Sequence, residues 1–123
     1  MFESTRAFSG FAVDDLEKAT EFYGQTLGLR TSEQHGLLTL HLAGDRDTLV
    51  YPKADHEPAG YTILNFPVDD IEAAVDGLLA RGVQIERYEG LDQDEKGIVR
   101  GGGPYIAWFE DPAGNVLSVL QER

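Results

Sequence analysis

The chain has 123 residues, of which 41% are apolar and 10% aromatic, enough to close one compact domain around a real core. With 22 acidic residues against 10 basic ones, its net charge is −12 and no Lys/Arg stripe is present, so nucleic acid and anionic membranes are disfavoured. The absence of cysteine removes disulfides, thiol nucleophiles and thiolate metal sites.

Residues 1–10 show no basic segment leading into an apolar run, and no apolar stretch reaches membrane-spanning length. A cytoplasmic location is therefore expected. Thr5 to Val13 reads as a strand. Phe11 and Val13 fall on one face, and Phe8, Gly10 and Ala12 on the other. A helix is expected over about 14–27, because Leu16, Ala19, Tyr23 and Leu27 form one apolar stripe. Asp14 and Glu17 have the spacing of a capping box at its start, and Gly28 is the expected stop. Residues 29–34 and Leu37 to Ala43 predict two strands around the Gly36 turn. In the second of them Leu38, Leu40 and Leu42 oppose Thr39 and His41. Asp45 to Asp47 reads as a turn and Thr48 to Tyr51 as a short strand.

Pro52 to Gly60 has linker composition, with two prolines, a glycine and three charges. Beyond it the order begins again. Val13-Asp14-Asp15-Leu16-Glu17-Lys18-Ala19 is echoed by Val68-Asp69-Asp70-Ile71-Glu72-Ala73-Ala74, 55 residues later. Two unrelated strand-to-helix junctions sharing one cap would look similar, but the apolar spacing matches on both sides, which favours an internal duplication. A strand over Tyr61 to Val68, a helix over about 69–81 ended by Gly82, and a strand over Val83 to Tyr88 follow. Gly90 to Gly103 is polar and glycine-rich and predicts a long mobile loop. Tyr105 to Phe109 and Val116 to Leu120 close the chain as strands joined by the Asp111-Pro112-Ala113-Gly114-Asn115 turn. The pattern is βαβββ twice, an α+β fold. One domain is expected, with module 1 over 1–52, a linker over 53–59 and module 2 over 60–123.

This doubled pattern, with Phe22-Tyr23 before Leu27-Gly28-Leu29 and with the 111–115 turn, resembles the vicinal-oxygen-chelate superfamily of glyoxalases, bleomycin resistance proteins and extradiol dioxygenases. The resemblance implies two modules in pseudo-two-fold symmetry, with sheets curled around a shared cleft, commonly in a homodimer. It also implies, for the enzymes, a divalent metal held by His, Gln or Glu on cleft-facing strands. The matching positions here are Phe8, Ile63, Ser118 and about Val50 or Tyr51. Phe and Ile have no donor atom and serine alone is a poor ligand, so no metal and no other cofactor is expected.

Strand alternation leaves a cleft lining of Phe8, Gly10 and Ala12 from one strand, and Ile63, Asn65 and Pro67 from its repeat. A simple hairpin at 111–115 would set Trp108 opposite Ser118. His41 joins them from the face opposite its leucines. The lining is aromatic with a few polar groups, the make-up of a small-molecule pocket; a closed core filled by the same rings is the competing reading. Arg100 and Tyr105 belong to the long loop and its mouth, where they would act as part of a lid. His35 and His56 lie away from the implied ligand positions, and no Ser/His/Asp set emerges from the spacing. The expected function is metal-free binding of a small organic molecule, aromatic and neutral or cationic, in a sequestering, resistance or carrier role. The ligand-binding candidates are Phe8, His41, Asn65, Trp108, Ser118, Tyr105 and Arg100. The alternative is a lyase, isomerase or dioxygenase using a divalent metal, or His41 as acid/base, since an imidazole suits proton transfer at neutral pH.

Overall fold

The computed structural model describes all of residues 1–123 and divides into two compact units, Met1–Glu57 and Pro58–Arg123. In the first unit, β1 (Ser9–Val13) leads to α1 (Leu16–Glu21) and a π-helical turn (Phe22–Thr26). Then come β2 (Arg30–Gln34), β3 (Leu37–Leu42) and β4 (Arg46–Pro52). The sheet order is β1-β4-β3-β2, with β1 parallel to β4 and the remaining pairs antiparallel. A parallel pair needs a crossover, and the helical segment after β1 supplies part of it.

The alternation of β3 and β4 sends Leu38, Leu40, Thr48 and Val50 to a buried face, and α1 packs on these two strands with Ala19 buried. Tyr23 is fully buried and meets Phe11 and Phe22 ring to ring, with centroids 5.7 and 5.1 Å apart. The opposite face carries Gly10, Ala12, Thr39, His41, Leu49 and Tyr51. Gly10 gives the strands room there: a Cβ would stand 3.0 Å from the Leu49 carbonyl oxygen, a tight contact.

The second unit runs β5 (Thr62–Pro67), α2 (Ile71–Ala80), β6 (Tyr105–Glu110) and β7 (Val116–Gln121). Its sheet order is β5-β7-β6, again with the first strand parallel to the last. Ile71, Val75 and Leu78 of α2 are buried, as are Ala107, Phe109, Leu117 and Val119 of the sheet. The Gln121 side chain accepts from the Ile71 backbone N–H at 2.9 Å, tying the helix start to the same sheet face.

Four expectations need correction. The helix caps are Asp15 and Asp70, one residue later than the capping-box reading: each accepts from the backbone N–H three positions on, at 3.1 Å, and those positions are Lys18 and Ala73 rather than a glutamate. The displacement is identical in both copies. The first helix is α-helical only to Glu21, since Leu27 N–H reaches back to the Phe22 carbonyl in π spacing. Residues 83–88 follow β6 without forming a ladder; one backbone bond, Glu86 N–H to the Trp108 carbonyl at 2.8 Å, joins them. Residues 90–103 fold into a pinned structure. Asp94 Oδ1 accepts from the Lys96 and Ile98 N–H groups, Oδ2 takes the Arg100 Nε–H, and Ile98 is fully buried. Bridges from Val99 to Gln93 and to Ile106 connect it to the sheet.

Candidate functional site

The face of the second sheet turned away from α2 carries three of the expected residues in one row. Trp108 pairs with Ser118 across β6 and β7, and Ser118 pairs with Asn65 across β7 and β5. Ser118 is fully buried, and its hydroxyl donates to Asn65 Oδ1 at 2.5 Å, while Asn65 itself is exposed. Ser118 is therefore a support for Asn65, with its own donor already committed. The register of β5 slips between Thr62 and Leu64. That bulge brings Thr62, rather than Ile63, to the Trp108 side, where its Oγ1 accepts from the indole Nε1–H at 3.0 Å. The indole plane is thus fixed by a hydrogen bond that strand alternation does not foresee.

Around Trp108 the second unit has an open groove of about 530 Å³, walled by Tyr61, Tyr88, Thr62, Glu110 and the Pro58–Gly60 segment. The Tyr88 ring stands edge-on to the indole, centroids 5.7 Å apart at 75°. The size lies within the range of small-molecule sites. Pro58 packs at the Asp111–Asn115 turn, 3.2 Å from where a Cβ of Gly114 would stand. Gly114 has φ 86°, so no other residue fits there easily. The turn itself is locked by Asp111, whose Oδ1 accepts from the Ala113 and Asn115 N–H groups. Partial burial, then the neighbouring Glu86 and Asp111 charges, push the Glu110 carboxyl above its ordinary range. Burial, followed by the Glu86 and Glu110 charges, likewise pushes up the Tyr88 hydroxyl. Sequence reasoning missed Tyr61, Thr62, Tyr88 and Glu110; for Glu110 alone a signal existed, its position two residues from Trp108 on one strand face.

Tyr105 and Arg100 are on the other side. Tyr105 alternates with Trp108 and pairs with Gln121, on the face that α2 covers. Arg100 bonds Asp94 at 2.9 Å and Glu72 of α2 at 3.2 Å, and its guanidinium lies 5.0 Å from the Tyr105 ring centre. Lys96 adds a bond to Asp76 at 2.9 Å. These contacts clamp the 94–100 segment to α2, so the two residues stabilise the loop where a lid was expected. Phe8 precedes β1 and is 70% exposed.

His41, in the first unit, is more than a lone strand histidine. Ser32 Oγ lies 2.7 Å from its Nε2, and Asp47 Oδ1 lies 3.0 Å from its Nδ1. A carboxylate only accepts, so Nδ1 bears the hydrogen, and in the neutral ring Nε2 accepts from the Ser32 hydroxyl. This hydroxyl–imidazole–carboxylate row spans β2, β3 and the start of β4, on the face opposite the leucine core. Asp47 is more than half exposed.

Two of the implied metal positions are occupied by residues without a ligand atom. Phe8 and Ile63 have no donor atom, Ser118 offers a single neutral hydroxyl that already donates to Asn65, and within neither unit do three His, Asp or Glu side chains converge as ligands.

A family profile described as Glyoxalase/Bleomycin resistance protein/Dioxygenase superfamily matches residues 7–119. The chain belongs to this superfamily. Within it, a probable lactoylglutathione lyase from Vibrio cholerae serotype O1 is 33% identical over 125 residues, covering 90% of this chain and 86% of the relative. TnmS3, an antibiotic binding protein from Streptomyces sp. CB03234, has 26% identity and a TM-score of 0.72, with 98% of each chain covered. A putative glyoxalase family protein from Bacillus anthracis has a TM-score of 0.73 over the whole of both chains at 17% identity, a likeness of fold. No helix of this superfamily member is long and apolar enough to cross a membrane.

Proposed function

We propose that this protein binds an aromatic organic molecule, neutral or cationic, without a metal, in a sequestering, resistance or carrier role. The observation that carries the reading is the Trp108 groove: an indole held by Thr62, crossed by Tyr88 and left open to a ligand. The likeness to an antibiotic binding protein along the whole chain supports it. So does the lack of donor atoms at Phe8 and Ile63, which weighs against inheriting a metal-dependent reaction. Trp108 supplies stacking surface, and Asn65, braced by Ser118, orients a polar group of the ligand. Phe8 and His41 are further candidates on the first unit.

The test is calorimetric titration of a panel of aromatic compounds in the presence of a chelator. Trp108→Ala should remove most of the affinity for any binder found, and Ser118→Ala should cost less. Trp108→Phe, which keeps a ring, should retain part of it. If Trp108→Ala only lowers stability and Trp108→Phe binds like the parent, the tryptophan is structural and the reading falls. A stoichiometric divalent ion in the purified protein would overturn the metal-free part.

A second reading is favoured by the Ser32–His41–Asp47 row and by the lyase relatives: an enzyme with His41 as acid/base. Lactoylglutathione lyase activity that is abolished by His41→Gln and retained by Trp108→Phe would select it.

A further inference from the structure

Building on the binding reading above, we infer that the groove of the second unit selects organic cations, with Glu110 as the counter-charge and Tyr61, Tyr88 and Trp108 as the aromatic walls. The class is a substituted or quaternary ammonium attached to an apolar or aromatic body.

Three observations lead there. First, Glu110 is the one charged side chain lining the groove, and no lysine or arginine pairs with it or with Glu86 beside it. Second, the walls are aromatic, and an aromatic ring attracts a cation to its face through its negative quadrupole, tryptophan most strongly. The Thr62 bond and the edge-on Tyr88 hold the Trp108 ring in place before any ligand arrives. Third, the groups facing Glu110 are all acidic or neutral. Glu86 and the Tyr88 hydroxyl come from the segment along β6, and Asp111 comes from the turn after it. This negative field has no compensating cation among the residues that line the groove. An organic cation in the groove would supply the missing charge, so its binding should strengthen as pH rises and Glu110 gives up its proton. An anionic aromatic would meet the same field as a repulsion.

The protein has a single tryptophan, so intrinsic fluorescence reports directly on the groove. The experiment titrates the full chain with benzyltrimethylammonium, with neutral benzyl alcohol and with anionic benzoate, at several pH values from 4 to 8. The expected result is Trp108 quenching by the cation at affinity about tenfold above the neutral probe, a gap that narrows at acid pH. Glu110→Gln should bring the cation's affinity down to that of the neutral probe and flatten its pH profile. Glu86→Gln should act in the same direction by a smaller factor. Equal affinity for the charged and neutral probes, or an unchanged cation affinity in a folded Glu110→Gln variant, overturns the cation selectivity while leaving aromatic binding intact. No response of Trp108 to any of the probes overturns both.

Discussion

Glu110 has a second consequence, for stability. Its native carboxyl is raised by burial and by Glu86 and Asp111, so folding favours the protonated form. That contribution is complete below the ordinary carboxyl value of 4.5 and is lost as pH climbs through the raised native one. Glu110→Gln, a mimic of the protonated group, should therefore resist urea better than the parent at neutral pH, and the two should converge at acid pH. A parent that stays the more stable throughout would mean that Glu110 has a favourable partner. Single residues also mark where the sequence was silent. Trp108 stands out as the lone tryptophan on an alternating strand, and its pairing with Ser118 follows from a tight hairpin. Thr62 reaches it only because of a bulge, and nothing in Tyr61-Thr62-Ile63-Leu64 announces one. The Ser32–His41 contact is hidden for a similar reason. The register partner of Ser32 is Thr39, so the bond is a diagonal that depends on how β2 and β3 are aligned.

At the level of elements, the repeat was legible because both copies carry the same solution to one problem, how a strand turns into a helix. Asp15 and Asp70 leave the extended conformation with φ near −135° and −138° and cap the following turn in the same way. Local spacing pointed to the preceding aspartates, since Asp14 and Asp69 also stand three residues before a glutamate. What decides between them is that Asp15 and Asp70 are the last extended residues before each helix, so theirs are the carboxylates beside its first free N–H groups. Asp70→Ala should cost about 1 kcal/mol of unfolding free energy, and Asp69→Ala much less. Equal losses in urea titrations would return the cap to the earlier residue. The loop over 90–103 misled for a different reason. Its glycines and charges have the composition of a mobile segment, yet Asp94 gathers two backbone N–H groups and Arg100 around one carboxylate. Burial is the largest single influence on Asp94 and raises its value, but the bonds from Ile98, Arg100 and Lys96 together hold it below the ordinary one. Its contribution is thus present above 3.8 and lost as pH falls through the depressed native value.

For the whole molecule, the unsettled balance is between exposed apolar surface and charge. Phe2, Phe8 and Tyr61 are 74%, 70% and 71% exposed, and each sheet has edges, at β2 and β5 among others, with no strand beside them. Open edges and bare aromatics favour association with a second copy, the homodimer that the family resemblance implies. Against this stands the net charge of −12 on every chain, which makes two copies repel. The repulsion acts over the screening length, roughly 8 Å at physiological salt and 30 Å at 0.01 M, whereas burial of apolar surface does not depend on that length. The two forces therefore separate on changing the salt. Light scattering at micromolar concentration in physiological salt should give twice the chain mass of 13.5 kDa. Dilution of the salt to about 0.01 M should shift the protein toward the single-chain mass, as the longer screening length lets the like charges push the copies apart. A single-chain mass at every salt concentration would rule the dimer out, and a dimer that tightens as salt is removed would mean that charged pairs, rather than the apolar surface, hold the copies together.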